Sequence, residues 1–328
     1  MIISWNTTNR CNLTCPHCYR DAGNESEGEL SFEEAKKMLD GIAAAGFKIM
    51  IFSGGEPLMR EDIFSLISYA ASLGLRPVLG TNGTLITPAA AEKLKESGAV
   101  RVGISLDSLD RAKHDKFRGM AGAFDKTEEA MKNCLAAGLQ FQIHTTVMDW
   151  NRDEICAIAD YAAAKGASAF HIFFLIPVGR GVFIKDTALE AVEYEVLLRE
   201  IMKKQSSLPI EIKPTCAPQF VRIAEQMGIK QRFSRGCIAG LSYCIINPIG
   251  KVQPCAYLPE SAGDVREDSF DKIWKESQIF KKLRTRRYSG SCSECKYSDS
   301  CGGCRARAVY YGGGCMGEDP YCAYGKGL

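Results

Sequence analysis

Cys11, Cys15 and Cys18 form a CxxxCxxC array near the start of the chain. Three thiolates at that spacing can hold three irons of a [4Fe–4S] cube and leave the fourth iron open to a small ligand. A structural zinc ion would take a fourth protein ligand, and His17 inside the array keeps that alternative open. A second thiol-rich stretch holds Cys237, Cys244 and Cys255, then Cys292-x2-Cys295-x5-Cys301-x2-Cys304, then Cys315 and Cys322. Its spacing suits a pair of four-thiol sites, for iron–sulfur clusters or for zinc. Cys134 and Cys156 lie within helical patterns and read as small core hydrophobes, and Cys216 is left over. The chain holds 15 cysteines without an export signal, and in a reducing compartment that favours metal over disulfides.

The segment Ser53-Gly54-Gly55-Glu56-Pro57 is the next chemical signal. Two glycines let a ligand approach the backbone closely, and the Glu56 carboxylate can accept a hydrogen bond from a cationic amine. Read alone, the segment could equally be a turn.

These residues need elements to position them. Strand signals lie at Ile2–Trp5, Lys48–Ser53, Pro77–Thr81, Val100–Leu106, Phe141–Val147 and Ala169–Ile176. Between them, capping boxes open helices at Ser31 with Glu34, Asp125 with Glu128, Asn151 with Glu154 and Thr187 with Glu190, and Thr87-Pro88 marks another start. Such alternation predicts an α/β fold: a parallel sheet under helices, curved into a partial (β/α)6 TIM-like barrel. Functional residues then sit where strands end. Near Leu208-Pro209 the composition shifts to glycine, proline and cysteine, which places a boundary between residues 1–207 and a cysteine-rich 208–328. There a hairpin is expected, Tyr243–Asn247 with Lys251–Pro254, and a helix from Ser269 to Leu283. A net charge of +2 gives no footprint for nucleic acid or an anionic membrane, and no apolar run is long enough to span a bilayer. A cytoplasmic location is the expectation.

With CxxxCxxC one unit upstream, GGEP resembles the radical S-adenosylmethionine (SAM) superfamily, and the likeness extends over the first domain through Thr81-Asn82-Gly83 and Ser105-Leu106-Asp107-Ser108. The resemblance implies that Cys11, Cys15 and Cys18 hold the catalytic cluster, that its open iron binds SAM, and that Gly54, Gly55 and Glu56 hold the SAM amine. It places Asn82, Ser105 and Asp107 near the cofactor, with loop capping as their plainer role. It implies reductive cleavage of SAM to a 5′-deoxyadenosyl radical that takes a substrate hydrogen. The later cysteines resemble the SPASM extension, which carries two auxiliary [4Fe–4S] clusters, for three in all. Its ligand order assigns Cys237, Cys244, Cys255 and Cys304 to one and Cys292, Cys295, Cys301 and Cys322 to the other. The two-residue gap before Cys304 departs from the commoner three.

Segments such as Pro177-Val178-Gly179-Arg180-Gly181 and Cys301-Gly302-Gly303-Cys304-Arg305-Ala306-Arg307-Ala308 resemble the tetrapyrrole-modifying branch of SPASM proteins, which serves haem d1 and alternative haem synthesis. That likeness implies removal or decarboxylation of carboxylate side chains on an iron tetrapyrrole. Arg180 then suits a substrate carboxylate, while Arg305 and Arg307 read as supports of the cysteine loop. His144 and His171 could ligate haem iron or be satisfied core histidines. A low-potential donor such as ferredoxin or flavodoxin is implied, and the basic run Lys281–Arg287 is either a solvated face or its dock. Two other functions stay open: a maturase that oxidises or crosslinks a ribosomal peptide, and a non-enzymatic electron-transfer or sensor protein.

Overall fold

The computed structural model describes residues 1–24 and 27–324. Strand–helix alternation runs from β1 (Ile2–Asn6) and α1 (Phe32–Ala44) through β2 (Ile49–Ser53), α2 (Ile63–Ser72), β3 (Arg76–Thr81) and α3 (Pro88–Glu96). It continues with β4 (Arg101–Ser105), α4 (Arg111–Arg118), α5 (Ala123–Ala136), β5 (Phe141–Val147), α6 (Ile155–Ala164), β6 (Ala169–Phe174) and α7 (Ala191–Gln205). Next come β7 (Glu211–Thr215), α8 (Phe220–Gln226), β8 (Tyr243–Ile246), β9 (Lys251–Gln253) and β10 (Gly263–Asp264). The chain closes with α9 (Phe270–Glu276), α10 (Gln278–Thr285) and α11 (Arg305–Tyr310).

All ten strands form one sheet, ordered β10-β9-β8-β1-β2-β3-β4-β5-β6-β7. The pairs from β8 through β1 to β7 are parallel, and β9 and β10 add an antiparallel hairpin edge. The expected hairpin is present, but it extends the barrel sheet beside β1 instead of standing apart. β7 and β8 add a strand on each side of the six expected ones.

Alternation along each strand divides the sheet into two faces. Ile3, Trp5, Met50, Phe52, Leu79, Val102, Ile104, Ile143, Phe170, Ile172 and Ile212 are buried together against the helices. The opposite face, with Ser53, Ser105, His144, His171 and Lys213, lines the concave interior and remains partly exposed.

Helix starts follow local signals only where those signals are uncontested. Ser31 and Glu34 close a capping box on α1, which buries Ala35, Met38, Leu39 and Ile42. Each such side chain contributes roughly 1.5–3 kcal/mol on full burial, alanine less. Thr87 caps α3 with Pro88 in its first turn. The expected box at Asp125 does not form. α5 begins earlier, because Asp115 accepts the Gly122 and Phe124 amides at 2.6 and 2.8 Å. Asn151 turns inward to bond the Asp107 and Thr146 carbonyls, leaving Glu154 to take Ser108 Oγ and the Leu109 amide. The box expected at Thr187 forms instead between Glu190 and Glu193. The helix expected over Ser269–Leu283 breaks at Ser277 into α9 and α10, with Arg284 reaching back to the Trp274 carbonyl at 2.7 Å.

Candidate active site

The CxxxCxxC loop leaves the end of β1 and is gripped from several sides. The glycines after β2 do allow a close approach, and what approaches is the cysteine loop's own backbone. Gly55 N donates to Thr8 O at 2.8 Å and Glu56 N to Arg10 O at 2.7 Å. A Cβ on Gly54 would fall 2.6 Å from Thr8 O, and one on Gly55 would overlap Arg10 O.

Glu56 is fully buried. Its carboxylate accepts hydrogen bonds from Leu58 N (3.2 Å), Thr81 Oγ1 (2.8 Å) and Asn82 N (2.9 Å). Burial pushes the carboxyl up to about 7 against the pull of these donors. Burial also carries the Cys11 thiol to about 11, and the nearby Glu56 charge adds to the rise. Glu56 and the Cys11 thiol are therefore neighbours.

Three polar residues expected around a cofactor have structural partners. Asn82 donates to Asn12 Oδ1 at 2.9 Å and accepts from the Thr84 amide and hydroxyl, tying the end of β3 to the cysteine loop. Ser105 Oγ donates to Thr81 O at 3.3 Å and remains partly exposed. Asp107 is buried and committed to Arg118, whose Nε and Nη2 stand 2.7 and 2.6 Å away, and it also accepts the Thr146 amide. Burial alone would raise this carboxyl; Arg118 holds it below its ordinary value. Arg118 Nη1 in turn lies 3.7 Å from Cys15 Sγ. Asp107 thus anchors a cation beside a thiol, a role the sequence did not signal for Arg118. His17 stacks flat on Phe117, ring centroids 4.4 Å apart, and burial pushes it down to about 3, so the ring is neutral.

Arg180 also has a different place from the one expected. Its Nε donates to Cys15 O at 3.0 Å, and Nη1 reaches Asp21 (2.9 Å) and Ala22 O (2.6 Å). It clamps the cysteine loop, which explains why the sequence places an arginine just beyond β6.

The later cysteines fall into two groups. Cys216, immediately after β7, has a positive φ of 60°. Burial raises its thiol well above the ordinary value, and the neighbouring Cys304, Cys255 and Cys237 raise it further. Those three also act on one another. Cys244 is not brought to this group. It lies in β8, where alternation points it at the apolar outer core; burial raises its thiol and Arg284 opposes the rise. Cys216, rather than the Cys244 that the resemblance implied, neighbours Cys237, Cys255 and Cys304. Cys301, Cys292 and Cys322 form the second group, and Cys295 follows Cys292 by one short turn.

Buried Asp319 joins this cysteine region to the barrel. It accepts from Cys304 N (2.7 Å), Gln219 Nε2 (2.8 Å) and Arg307 Nη1 (3.0 Å), and Arg307 Nη2 bonds Cys216 O at 2.8 Å. Arg305 Nη1 bonds the Cys315 and Gly317 carbonyls. Both arginines support the loop, as expected. Among the described residues, no three Cys, His, Asp or Glu side chains are drawn in tightly enough to hold a single metal ion. The fit to iron–sulfur clusters therefore rests on which thiols neighbour one another and on the cation beside Cys15.

Residues 5–162 match the family model described as the radical SAM superfamily, and residues 237–296 match SPASM, an iron–sulfur cluster-binding domain. The AdoMet-dependent heme synthase of Methanosarcina barkeri is 41% identical, over 99% of this chain and 97% of that protein. The chain belongs to the radical SAM superfamily. The Fe-coproporphyrin III synthase of the same organism is 34% identical, over 98% of this chain and 87% of the relative. Streptococcus suis SuiB bound to S-adenosylmethionine shares the fold, with a TM-score of 0.78 at 17% identity, covering 98% of this chain and 76% of SuiB.

This radical SAM enzyme uses iron–sulfur clusters and SAM, and the concave face of its sheet opens beside the CxxxCxxC loop. His144 and His171 lie on that face. Their rings stack at 5.3 Å and within 6° of parallel, and Gln142 Nε2 stands 2.6 Å from His144 Nε2 and 3.5 Å from His171 Nδ1. Burial pushes both rings well toward the neutral form. No helix among the described residues is long and apolar enough to cross a membrane.

Proposed function

We propose that this radical SAM enzyme removes or decarboxylates carboxylate side chains of an iron tetrapyrrole in haem synthesis. The observation that carries the reading is the end-to-end similarity to the M. barkeri haem synthase. Three [4Fe–4S] clusters are assigned: one on Cys11, Cys15 and Cys18, one on Cys216, Cys237, Cys255 and Cys304, and one on Cys292, Cys295, Cys301 and Cys322. Bound together, the first cluster and SAM supply a 5′-deoxyadenosyl radical that takes a hydrogen atom from the substrate.

This chain's residues then have separable tasks. Glu56 accepts the SAM ammonium beside Cys11, and the partly exposed Ser105 hydroxyl meets the ribose. Arg118 offsets the negative charge at Cys15. Arg180 and Asn82 fix the loop that sets the distance between SAM and substrate. Placement against the concave face of the sheet keeps water from the radical. A low-potential ferredoxin or flavodoxin supplies the electron.

Reconstituted protein incubated anaerobically with SAM, reductant and a panel of iron tetrapyrroles should yield 5′-deoxyadenosine together with a product lighter by carboxyl, acetate or propionate groups. Formation of 5′-deoxyadenosine with every tetrapyrrole unchanged would remove the substrate assignment and keep the radical chemistry.

A further inference from the structure

One cation on the concave face makes no direct ion pair among the described residues. Strand register aligns Ser105 with His144, His144 with His171, and His171 with Lys213, one residue from each of β4, β5, β6 and β7. At the usual interstrand spacing this polar row runs about 14 Å across the concave face. Its first member hydrogen-bonds Thr81 O, two bonds removed from Glu56, so the row starts at the proposed SAM site.

The far end of the row is Lys213. Among the described residues its ammonium has no hydrogen bond or ion pair; it lies 4.3 Å over the Phe233 ring centroid. The nearest acid on its strand, Glu211, is engaged by Arg232 and stands 3.6 Å from His171 Nε2. That ring nitrogen is buried and makes no hydrogen bond. Burial depresses the Lys213 amine below its ordinary value, while the nearby Glu211 charge opposes the fall and Arg232 adds to it. A half-buried ammonium without a direct ion pair carries a desolvation cost, and a bound anion would offset it.

We propose that Lys213 anchors a substrate carboxylate deep in the barrel, at the opposite end of the polar row from SAM. The proposal rests on the tetrapyrrole reading. A broad, multiply carboxylated macrocycle can present one side chain near Ser105 and another at Lys213, whereas a small acid cannot reach both. Lys213 is therefore assigned a specificity role, holding a side chain that is not the one under attack. Glycine at Gly103 makes room for the His144 ring, because a Cβ there would overlap the imidazole.

The test uses full-length, cluster-loaded protein under anaerobic conditions, titrated with iron coproporphyrin III and with its methyl ester, which lacks the carboxylates. Lys213→Met should weaken binding of the acid by at least ~10-fold and leave the ester within about 3-fold, and Lys213→Arg should restore most of the loss. In turnover the Met variant should raise KM more than it lowers kcat. Without substrate its melting temperature should equal or exceed that of the wild type, because a half-buried charge without a direct ion pair has been removed. Equal acid binding by wild type and Lys213→Met would overturn the anchor, as would a Met variant that melts lower and binds acid and ester equally poorly. A wild type that binds neither porphyrin would instead overturn the tetrapyrrole reading beneath it.

Discussion

Glu56 sits between two opposing demands. Burial favours its neutral form, while a SAM ammonium beside Cys11 would favour the carboxylate. With a folded pKa of about 7 against an ordinary 4.5, the folded chain holds a proton that the unfolded chain releases between those values. Charging Glu56 therefore costs stability as pH rises through that window. Binding an ammonium reverses the preference and expels the proton. SAM affinity should rise with pH up to about 7 and then level off, with proton release at pH 6.5 detected by calorimetry in buffers of different ionisation heat. A pH-independent affinity without proton release would detach Glu56 from the SAM amine. The cysteines give a second residue-scale contrast. Cys216→Ala should lower the iron content by about one cluster, roughly four irons, while Cys244→Ala should keep its iron and lose a little core packing. Iron analysis of the two variants decides between them. The ligand order implied by the SPASM resemblance favoured Cys244; strand alternation, visible only once β8 is placed, turns it outward.

At the scale of elements, the cysteine loop is shaped by contacts from β2, β3, α4 and the segment after β6. Gly55→Ala should push the loop off the end of β2, because a Cβ there overlaps Arg10 O. The expected result is loss of the N-terminal cluster and of 5′-deoxyadenosine formation, with the iron of the other two groups retained. Full iron loss would mean that the fold itself had failed. Element starts were legible where the capping group is adjacent in sequence, as at Ser31 and Thr87. They were illegible where a distant side chain competes, as when Asp115 caps α5. The same limit applies to Arg180 and Asp107. Their residue types suggested ligand contacts, yet each is consumed by a partner far along the chain.

At the scale of the whole molecule, the composition break near Leu208 is not a structural gap. The sheet crosses it, since β7 and β8 pair with strands from the first 207 residues. The repeating strand–helix pattern made the six inner strands readable; β7 and β8 lie among glycine, proline and cysteine, where periodicity fades. Across that boundary, buried Arg307 lies over the Tyr194 ring, and the Tyr194 hydroxyl donates to Gln219, which in turn bonds Asp319. Arg307→Met should leave Asp319 uncompensated and cost on the order of 3–5 kcal/mol, read from chemical unfolding midpoints. A fragment of residues 1–207 should aggregate or be rapidly proteolysed; a stable, monomeric fragment would show that the strands added later are dispensable.

β1 is made before the other strands of its sheet and is an inner strand of it, and its second neighbour is Tyr243–Ile246. During synthesis at ~5–20 residues per second, its outer edge waits on the order of 10–50 s for that neighbour to be made. An unpaired edge of Ile2, Ile3, Ser4 and Trp5 is a template for pairing with another nascent chain. Yield in the cell should therefore depend on translation speed and chaperone supply over that interval, before any iron is delivered.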